Sequence, residues 1–266
     1  MPCPKIIALD MDGTLLDEHG RVPDAFWDLL RLADERNVLI TPASGRQLAT
    51  LRDMFTAHEP HTFIAENGSV VFHDSHIIDV TAMPEQPVRD FLHAFEMAPF
   101  SATAVLCTPE QSYSVRGASE EVEREISKYY HAHTAVDSLV DVPFDAPVKV
   151  ALYVDGDAER DALAWVQEHA PRLHHVVSGQ HWIDIMSPEA DKGKALLAIA
   201  DALGVPHAAT AAIGDFLNDY TMLQQAGTSV AMGNAHPDLK AIADEVIGTN
   251  AEHAAVHRLA AWLNDA

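Results

Sequence analysis

Apolar strands alternating with amphipathic helices over residues 5–65, the return of that alternation after residue 189, and a change of period in between predict an α/β fold. The expected architecture is a doubly wound, Rossmann-like parallel-sheet core formed by residues 1–82 and 189–266. An inserted α+β domain, residues 83–188, interrupts it. A chain of 266 residues that is 48% hydrophobic can bury a substantial core, and its length suits one large domain or two smaller ones.

Lys5-Ile-Ile-Ala-Leu9 stops at acids and glycine, as a strand buried on both faces does. Pro23-Asp24 opens a helix in which Phe26, Leu29, Leu30 and Ala33 share one side, and Asn37 closes it. Val38–Thr41 is expected as a strand, residues 47–56 as a helix carrying Leu48, Leu51 and Phe55, and Thr62–Ala65 as a strand. Strand, helix, strand, helix, strand implies right-handed crossovers and parallel pairing. Ser69–Phe72 and Ile77–Val80, on either side of His73-Asp-Ser-His76, form a hairpin pattern.

The insertion begins with a helix at Val88–Phe95, two strands around Glu110-Gln111, and a helix from Ser119 to about His131. A strand at Val148–Val154, a helix at Ala158–His169, and strands at Leu173–Val177 and Trp182–Met186 follow. Pro84, Pro87 and Pro188 punctuate its edges. The first pattern then resumes: helix Gly193–Leu203, strand Ala209–Ile213, helix Asp219–Ala226, strands Thr228–Ala231 and Glu245–Ile247, and helix Ala254–Leu263.

Charge excludes some partners. Forty acidic residues face 17 basic ones, a formal balance of −23. Nucleic acid and anionic membrane surfaces reward basic faces, so neither is an expected partner. Cys3 and Cys107 are too few for a disulfide framework and sit in no zinc-like spacing, which suits a reducing compartment. The apolar run before Asp10 is too short for a signal-peptide core, and no run approaches the roughly 18 residues of a membrane span. The expected location is cytoplasmic. The sequence leaves the oligomeric state open.

Ligands of open α/β sheets sit beyond the carboxyl ends of the strands. Four polar groups follow apolar runs directly: Asp10-Met-Asp12-Gly-Thr14, Ser44-Gly-Arg46, Asn67-Gly68 and Gly214-Asp215-Phe-Leu-Asn218-Asp219. In extended chain Asp10 and Asp12 point to one side, while Gly13 permits a sharp turn. Carboxylates converging on one crevice repel unless a cation joins them, and oxygen-only ligands select a hard ion such as Mg²⁺. One carboxylate can act as nucleophile while a second protonates the leaving oxygen and then activates water, and Asp10 and Asp12 supply such a pair. A transferring phosphoryl group needs fixed donors. Ser44, the backbone amides around Met11 and Gly45, and Lys192, just ahead of a helix, are suitable.

Asp10-Met-Asp-Gly-Thr-Leu-Leu16, Ala43-Ser-Gly-Arg46, Asp191-Lys-Gly193 and Gly214-Asp-Phe-Leu-Asn-Asp219, in this order, resemble the four motifs of the haloacid dehalogenase superfamily. Ile64-Ala-Glu-Asn-Gly68 and Val230-Ala-Met-Gly-Asn-Ala235 extend the likeness to its Cof-type (class IIB) hydrolases. It covers essentially the whole chain, and the insertion falls where that class carries its cap domain. The resemblance implies a Mg²⁺-dependent phosphatase with Asp10 as nucleophile and Asp12 as general acid/base. It implies a metal held by Asp10, the Asp12 carbonyl and Asp215, a phosphate bound by Ser44 and Lys192, and Asn218 and Asp219 supporting both. It also implies a small phosphate ester as substrate, such as a sugar phosphate or a phosphorylated cofactor like pyridoxal phosphate. Halide departs without a proton but an alkoxide needs one, so Asp12 favours phosphoester hydrolysis within the superfamily.

Three positions depart from the family pattern: Ser44 where threonine is frequent, Phe216 after Gly-Asp, and Thr249-Asn-Ala-Glu-His253, which lacks a glycine after the acid. Asn67 and Asn234 are balanced between forming turns and serving the site. Arg46 leans towards structural pairing. His131, His133, His174 and His175 are expected as ordinary polar positions, and Tyr113, Arg116, His181 and Trp182 as strand packing rather than a leaving-group pocket. Two rival functions share the carboxylate chemistry: a phosphomutase and a non-hydrolytic phosphoaspartate signalling module.

Overall fold

A computed structural model describes residues 3–264, so Met1, Pro2, Asp265 and Ala266, at the ends of the expected core segments, lie outside it. The chain forms two compact units. Among the described residues, 3–45, 51–79 and 191–264 make the first, and 46–50 and 80–190 the second.

The first unit is built on β1 (Ile6–Asp10), α1 (Asp24–Glu35), β2 (Leu39–Ala43), most of α2 (Leu48–Asp53, of which residues 48–50 fall in the second unit), β3 (Thr62–Ala65), β4 (Val70–His73) and β5 (His76–Val80, of which Val80 falls in the second unit). The second carries α3 (Glu85–Phe95), β6 (Ala102–Cys107), β7 (Ser112–Val115), α4 (Glu120–Tyr129), β8 (His133–Val136) and β9 (Lys149–Val154). It ends with α5 (Ala158–Asp161), α6 (Leu163–His169), β10 (His174–Gly179) and β11 (Trp182–Met186). The chain returns to the first unit through α7 (Lys192–Ala202), β12 (Thr210–Gly214), α8 (Tyr220–Gln225), β13 (Thr228–Ala231), α9 (Pro237–Ile242), β14 (Glu245–Val246) and α10 (Ala254–Asn264).

The sheet of the first unit runs β14-β13-β12-β1-β2-β3-β4-β5, with every pairing from β14 to β3 parallel and β3 antiparallel to β4. Ile6, Ile7, Leu9, Ile40, Phe63 and Ile64 are buried, as the apolar runs require of strands covered on both faces. Helix α1 buries Phe26, Leu30 and Ala33 and packs against α10, whose Leu259, Trp262 and Leu263 are also buried. From β1 the chain winds one way through β2 and β3, whereas β12, β13 and β14 wind the other way. The reversal falls between β1 and β12, where Leu9 pairs with Ile213. That is the switch point at which open sheets leave a crevice beyond their strand ends.

The second unit has its own sheet, β10-β11-β9-β6-β7-β8, antiparallel except for β7 with β8. One face carries Ala104, Leu106, Val150, Leu152, Val154, Ile183 and Ile185 against Val88, Phe91 and Leu92 of α3 and Val166 of α6. Three local expectations change. The segment 158–169 is two helices broken at Ala162 rather than one (φ −126°). Asp161 turns back to accept the Asp157 N–H at 2.9 Å and pairs with Arg160, a side-chain alternative to continuing the helix. Strand β8 and helix α9 were missing from the sequence pattern, being four and six residues long with little periodicity. Residues 46–50 join the second unit, where Gln47 Nε2 donates to the Ala132 carbonyl at 2.8 Å and Thr50 Oγ1 to that of Tyr129 at 2.9 Å.

Among the described residues no helix is long and apolar enough to cross a membrane.

Candidate active site

Strand β1 delivers Asp10 to the switch point, and the chain turns at once through residues 11–15. Met11 is buried, so only its backbone can face a ligand. Gly13 has φ +83°, and a Cβ there would stand 2.2 Å from Asp215 Oδ2. The Asp10-x-Asp-Gly turn and the loop after β12 are thus packed too closely for any side chain at position 13. Thr14 Oγ1 donates to Asp215 Oδ1 at 3.2 Å. On the other side, Asn234 Nδ2 donates to the Gly13 carbonyl at 2.8 Å and to Asp215 Oδ2 at 3.3 Å.

Lys192 opens α7 behind an Asp191 cap, whose carboxylate accepts from the Lys194 N–H at 2.8 Å. Its buried Nζ donates to Asp10 Oδ1 and Asp219 Oδ1, both at 2.7 Å. Asp219 is fully buried, and its Oδ2 accepts the backbone N–H of Asp215 at 3.0 Å and of Phe216 at 3.2 Å. Both of its oxygens are therefore satisfied. Asp10 Oδ2, by contrast, is buried with no hydrogen-bond partner among the described residues.

These contacts set the electrostatics. Burial, reinforced by the Asp219 charge, pushes the Asp10 carboxyl well above the usual carboxylate range, with Lys192 opposing. Burial and Asp219 raise Asp215 to about 6, against the Thr14 hydrogen bond and Lys192. Burial pulls the Lys192 ammonium down, but Asp10 and Asp219 outweigh it and hold the lysine above its ordinary value. One ammonium thus faces three carboxyls, an excess of negative charge that favours a cation.

An oxygen from each of Asp10, Asp215 and Asp219 lies within 4.8 Å of the others, the one grouping of possible metal ligands that close among the described residues. The residues fit a hard divalent ion: the donors are all oxygen, and the Asp10 carboxylate has one buried oxygen, Oδ2, without a hydrogen-bond partner among the described residues. Asp219 accepts three hydrogen bonds and Asp215 two longer ones, at 3.2 and 3.3 Å, whereas Asp10 Oδ2 accepts none.

The remaining sequence candidates are arranged less directly. Ser44 is buried, and its carbonyl accepts the Asn67 N–H at 3.0 Å. Asn218 Nδ2 donates to Asn67 Oδ1 at 3.3 Å, and the Asn67 amide also abuts Gly45. The Asp12 side chain is exposed, outside the buried carboxyl group. Sequence reasoning placed Thr14 in the candidate group after β1 without giving it a role, and left Asn67 and Asn234 undecided. The signal for Thr14 was its position four residues after Asp10, across the tight glycine turn.

Phe216 is 57% exposed, its ring edge-on to His236, whose N–H donates to the Asp215 carbonyl at 2.8 Å. The loop without glycine closes through Glu252 Oε2, which accepts from Thr249 N at 2.8 Å, and His253 takes the left-handed conformation, φ 54°. In the second unit Arg46 lies over the Tyr129 ring at 5.7 Å, Arg116 pairs with Asp137, and His181 bonds the Val154 and Gly156 carbonyls. Trp182 packs on Tyr129, Tyr130 and Tyr153, and Tyr113 on the unit's core. His133 lies between the Ser112 and Ser114 hydroxyls.

Residues 7–259 match the profile of the haloacid dehalogenase-like hydrolases. The chain belongs to that family. It is 30% identical over 281 residues to phosphatase YwpJ of Bacillus subtilis, covering 96% of this chain and 98% of that one. It is 27% identical over 270 residues to an HMP-PP phosphatase of Cronobacter sakazakii, covering 97% and 95%. A solved haloacid dehalogenase-like hydrolase from B. subtilis superposes with a TM-score of 0.78 at 27% identity, over 96% of this chain and 99% of that one. As a haloacid dehalogenase-like hydrolase with phosphatase relatives, the protein is a phosphoric monoester hydrolase.

Proposed function

We propose that the protein is a Mg²⁺-dependent phosphatase of small phosphorylated metabolites that works through an aspartyl-phosphate on Asp10. The observation that carries this reading is the buried Asp10–Lys192–Asp219 array at the sheet's switch point, with one Asp10 oxygen left unpartnered. Asp10, the Asp12 carbonyl and Asp215 would hold the metal, with Asp219 in support. When bound, Mg²⁺ supplies positive charge to the phosphoryl oxygens and keeps Asp10 ionised. Lys192 orients Asp10 through a 2.7 Å hydrogen bond and adds its own charge.

An Asp10 oxygen attacks phosphorus, the P–O ester bond breaks, and the leaving alkoxide takes a proton from Asp12. Water then attacks the aspartyl-phosphate, giving a proton to Asp12 and releasing phosphate. Exposure of Asp12 suits a group that must meet both leaving group and water. The Ser44 hydroxyl, the Met11 and Gly45 amides, and Asn218 would hold the phosphoryl oxygens. Residues 83–188 are proposed as the cap that selects the leaving group.

Sugar phosphates, pyridoxal phosphate, nucleotides and HMP-PP are the panel to assay with Mg²⁺, the last because a relative carries that activity in its name. Phosphate release that is abolished in Asp10→Asn, with the variant still folded, is the expected result. Full activity in that variant would overturn the assignment of Asp10. An isomerised sugar phosphate without net phosphate would turn the reading to a phosphomutase, and a long-lived phosphoenzyme without turnover to a signalling module.

A further inference from the structure

The turn after β3 has an unusual backbone. Glu66, Asn67 and Gly68 all have positive φ, at 50°, 55° and 96°. Left-handed residues in sequence are disfavoured, and a fold retains them where the turn has a task to perform. This turn meets three loops that carry phosphate-binding candidates. Its Asn67 N–H donates to the Ser44 carbonyl at 3.0 Å. A Cβ on Gly45 would come within 3.0 Å of both terminal atoms of the Asn67 amide. A Cβ on Gly68 would stand 2.4 Å from the Asp191 carbonyl oxygen and 2.8 Å from the Lys192 nitrogen, so α7 starts directly against the turn. The Asn67 Oδ1 accepts from Asn218 Nδ2 at 3.3 Å, across 151 residues of sequence.

We infer that Asn67 is a positioning residue for the phosphate pocket, fixing the Asn218 amide against the Ser44-Gly45 loop. One N–H of Asn218 Nδ2 is spent on Asn67 Oδ1, which leaves the second N–H held in one direction for a phosphate oxygen. Without the Asn67 acceptor the Asn218 side chain rotates freely, and its ordering must be supplied by the ligand. The inference rests on the reading above that Ser44, Gly45, Asn218 and Lys192 hold the phosphoryl group.

The rival explanation is that asparagine stands at position 67 only because it tolerates left-handed backbone. Glycine tolerates it better, so Asn67→Gly keeps the turn and deletes the amide. Inorganic phosphate, as a competitive inhibitor, reads the pocket in the ground state, and KM and kcat for one hydrolysed ester read it in turnover. Positioning predicts that Asn67→Gly melts no lower than wild type while the phosphate inhibition constant and KM rise by about 5- to 10-fold, the scale of one hydrogen bond. In a double-mutant cycle, Asn67→Gly added to Asn218→Ala should cost less than a further twofold, because both remove the same interaction.

Inhibition and KM unchanged in Asn67→Gly would overturn the inference and leave the proposed function standing. Independent, multiplicative losses in the cycle would overturn action through Asn218. A wild-type enzyme that hydrolyses esters but is blind to inorganic phosphate would remove the assigned pocket and this inference together.

Discussion

Asp10, Asp215 and Asp219 belong to one chemical class but have three different environments, and hydrogen bonding separates their roles. Asp219 spends both oxygens on Lys192 and on two backbone N–H groups, whereas Asp215 shares its oxygens with the side chains of Thr14 and Asn234. The consequence for pH follows from Asp215, which titrates near 6 instead of its ordinary 3.8. Between those values the folded protein binds this proton and the unfolded chain does not, so the group's contribution to stability is greatest at low pH and is lost as pH rises through about 6. In metal-free buffer the melting temperature of Asp215→Asn is expected to exceed that of wild type at pH 7.5, with the gap closing as pH falls towards 4.5. A gap that stays constant across that range would show that Asp215 does not titrate there. The sequence pointed to Asp10, Lys192, Asp215 and Asp219 because each follows a strand or opens a helix. It gave Thr14 no role of its own and was undecided on Asn234, because the need for them arises from a packing contact, Gly13 on Asp215, that joins positions 202 residues apart.

At the scale of elements, legibility followed length and periodicity. Strands β1, β3, β9, β11 and β13 and helices α1, α3 and α7 carry continuous apolar runs or a clear buried face, and the sequence located all of them to within a few residues. Strand β8 is short and half-buried, and the 158–169 helix breaks through a local Asp161 interaction that no periodicity encodes. The 249–253 loop is a case in which sequence and structure together give a stability prediction. His253, which follows the acid, is left-handed, φ 54°, ahead of α10. A β-carbon in that conformation costs about 1–2 kcal/mol, partly offset by the entropy that glycine loses on folding. His253→Gly is therefore expected to stabilise the protein by about 0.5–1 kcal/mol in urea unfolding, with activity unchanged. Destabilisation would mean that the imidazole makes a contact worth more than the backbone strain.

For the whole molecule, the doubly wound order was readable because strand–helix alternation leaves few permitted topologies. What alternation does not specify is which unit claims a short connecting segment. Residues 46–50 join the second unit through Gln47 and Thr50 side chains, contacts set by tertiary structure alone. The balance of −23 also acts at this scale, in two separable ways. Acidic groups spread over the surface repel one another, and any salt relieves that repulsion gradually and without saturation at a site. The Asp10–Asp215–Asp219 group would instead bind one divalent ion and saturate, stabilising the fold by RT ln(1 + [L]/Kd), about 2.7 kcal/mol at one hundred times Kd. Thermal melts in NaCl at matched ionic strength and in MgCl₂ should therefore differ. NaCl should give a shallow, continuous rise in melting temperature, and Mg²⁺ should add a saturable step at far lower concentration. Asp215→Asn should abolish the step and keep the shallow rise, because it removes a ligand and only one charge of many. If Mg²⁺ and NaCl gave coincident curves at equal ionic strength, or if the step survived in Asp215→Asn, the cation site assigned to these aspartates would be wrong.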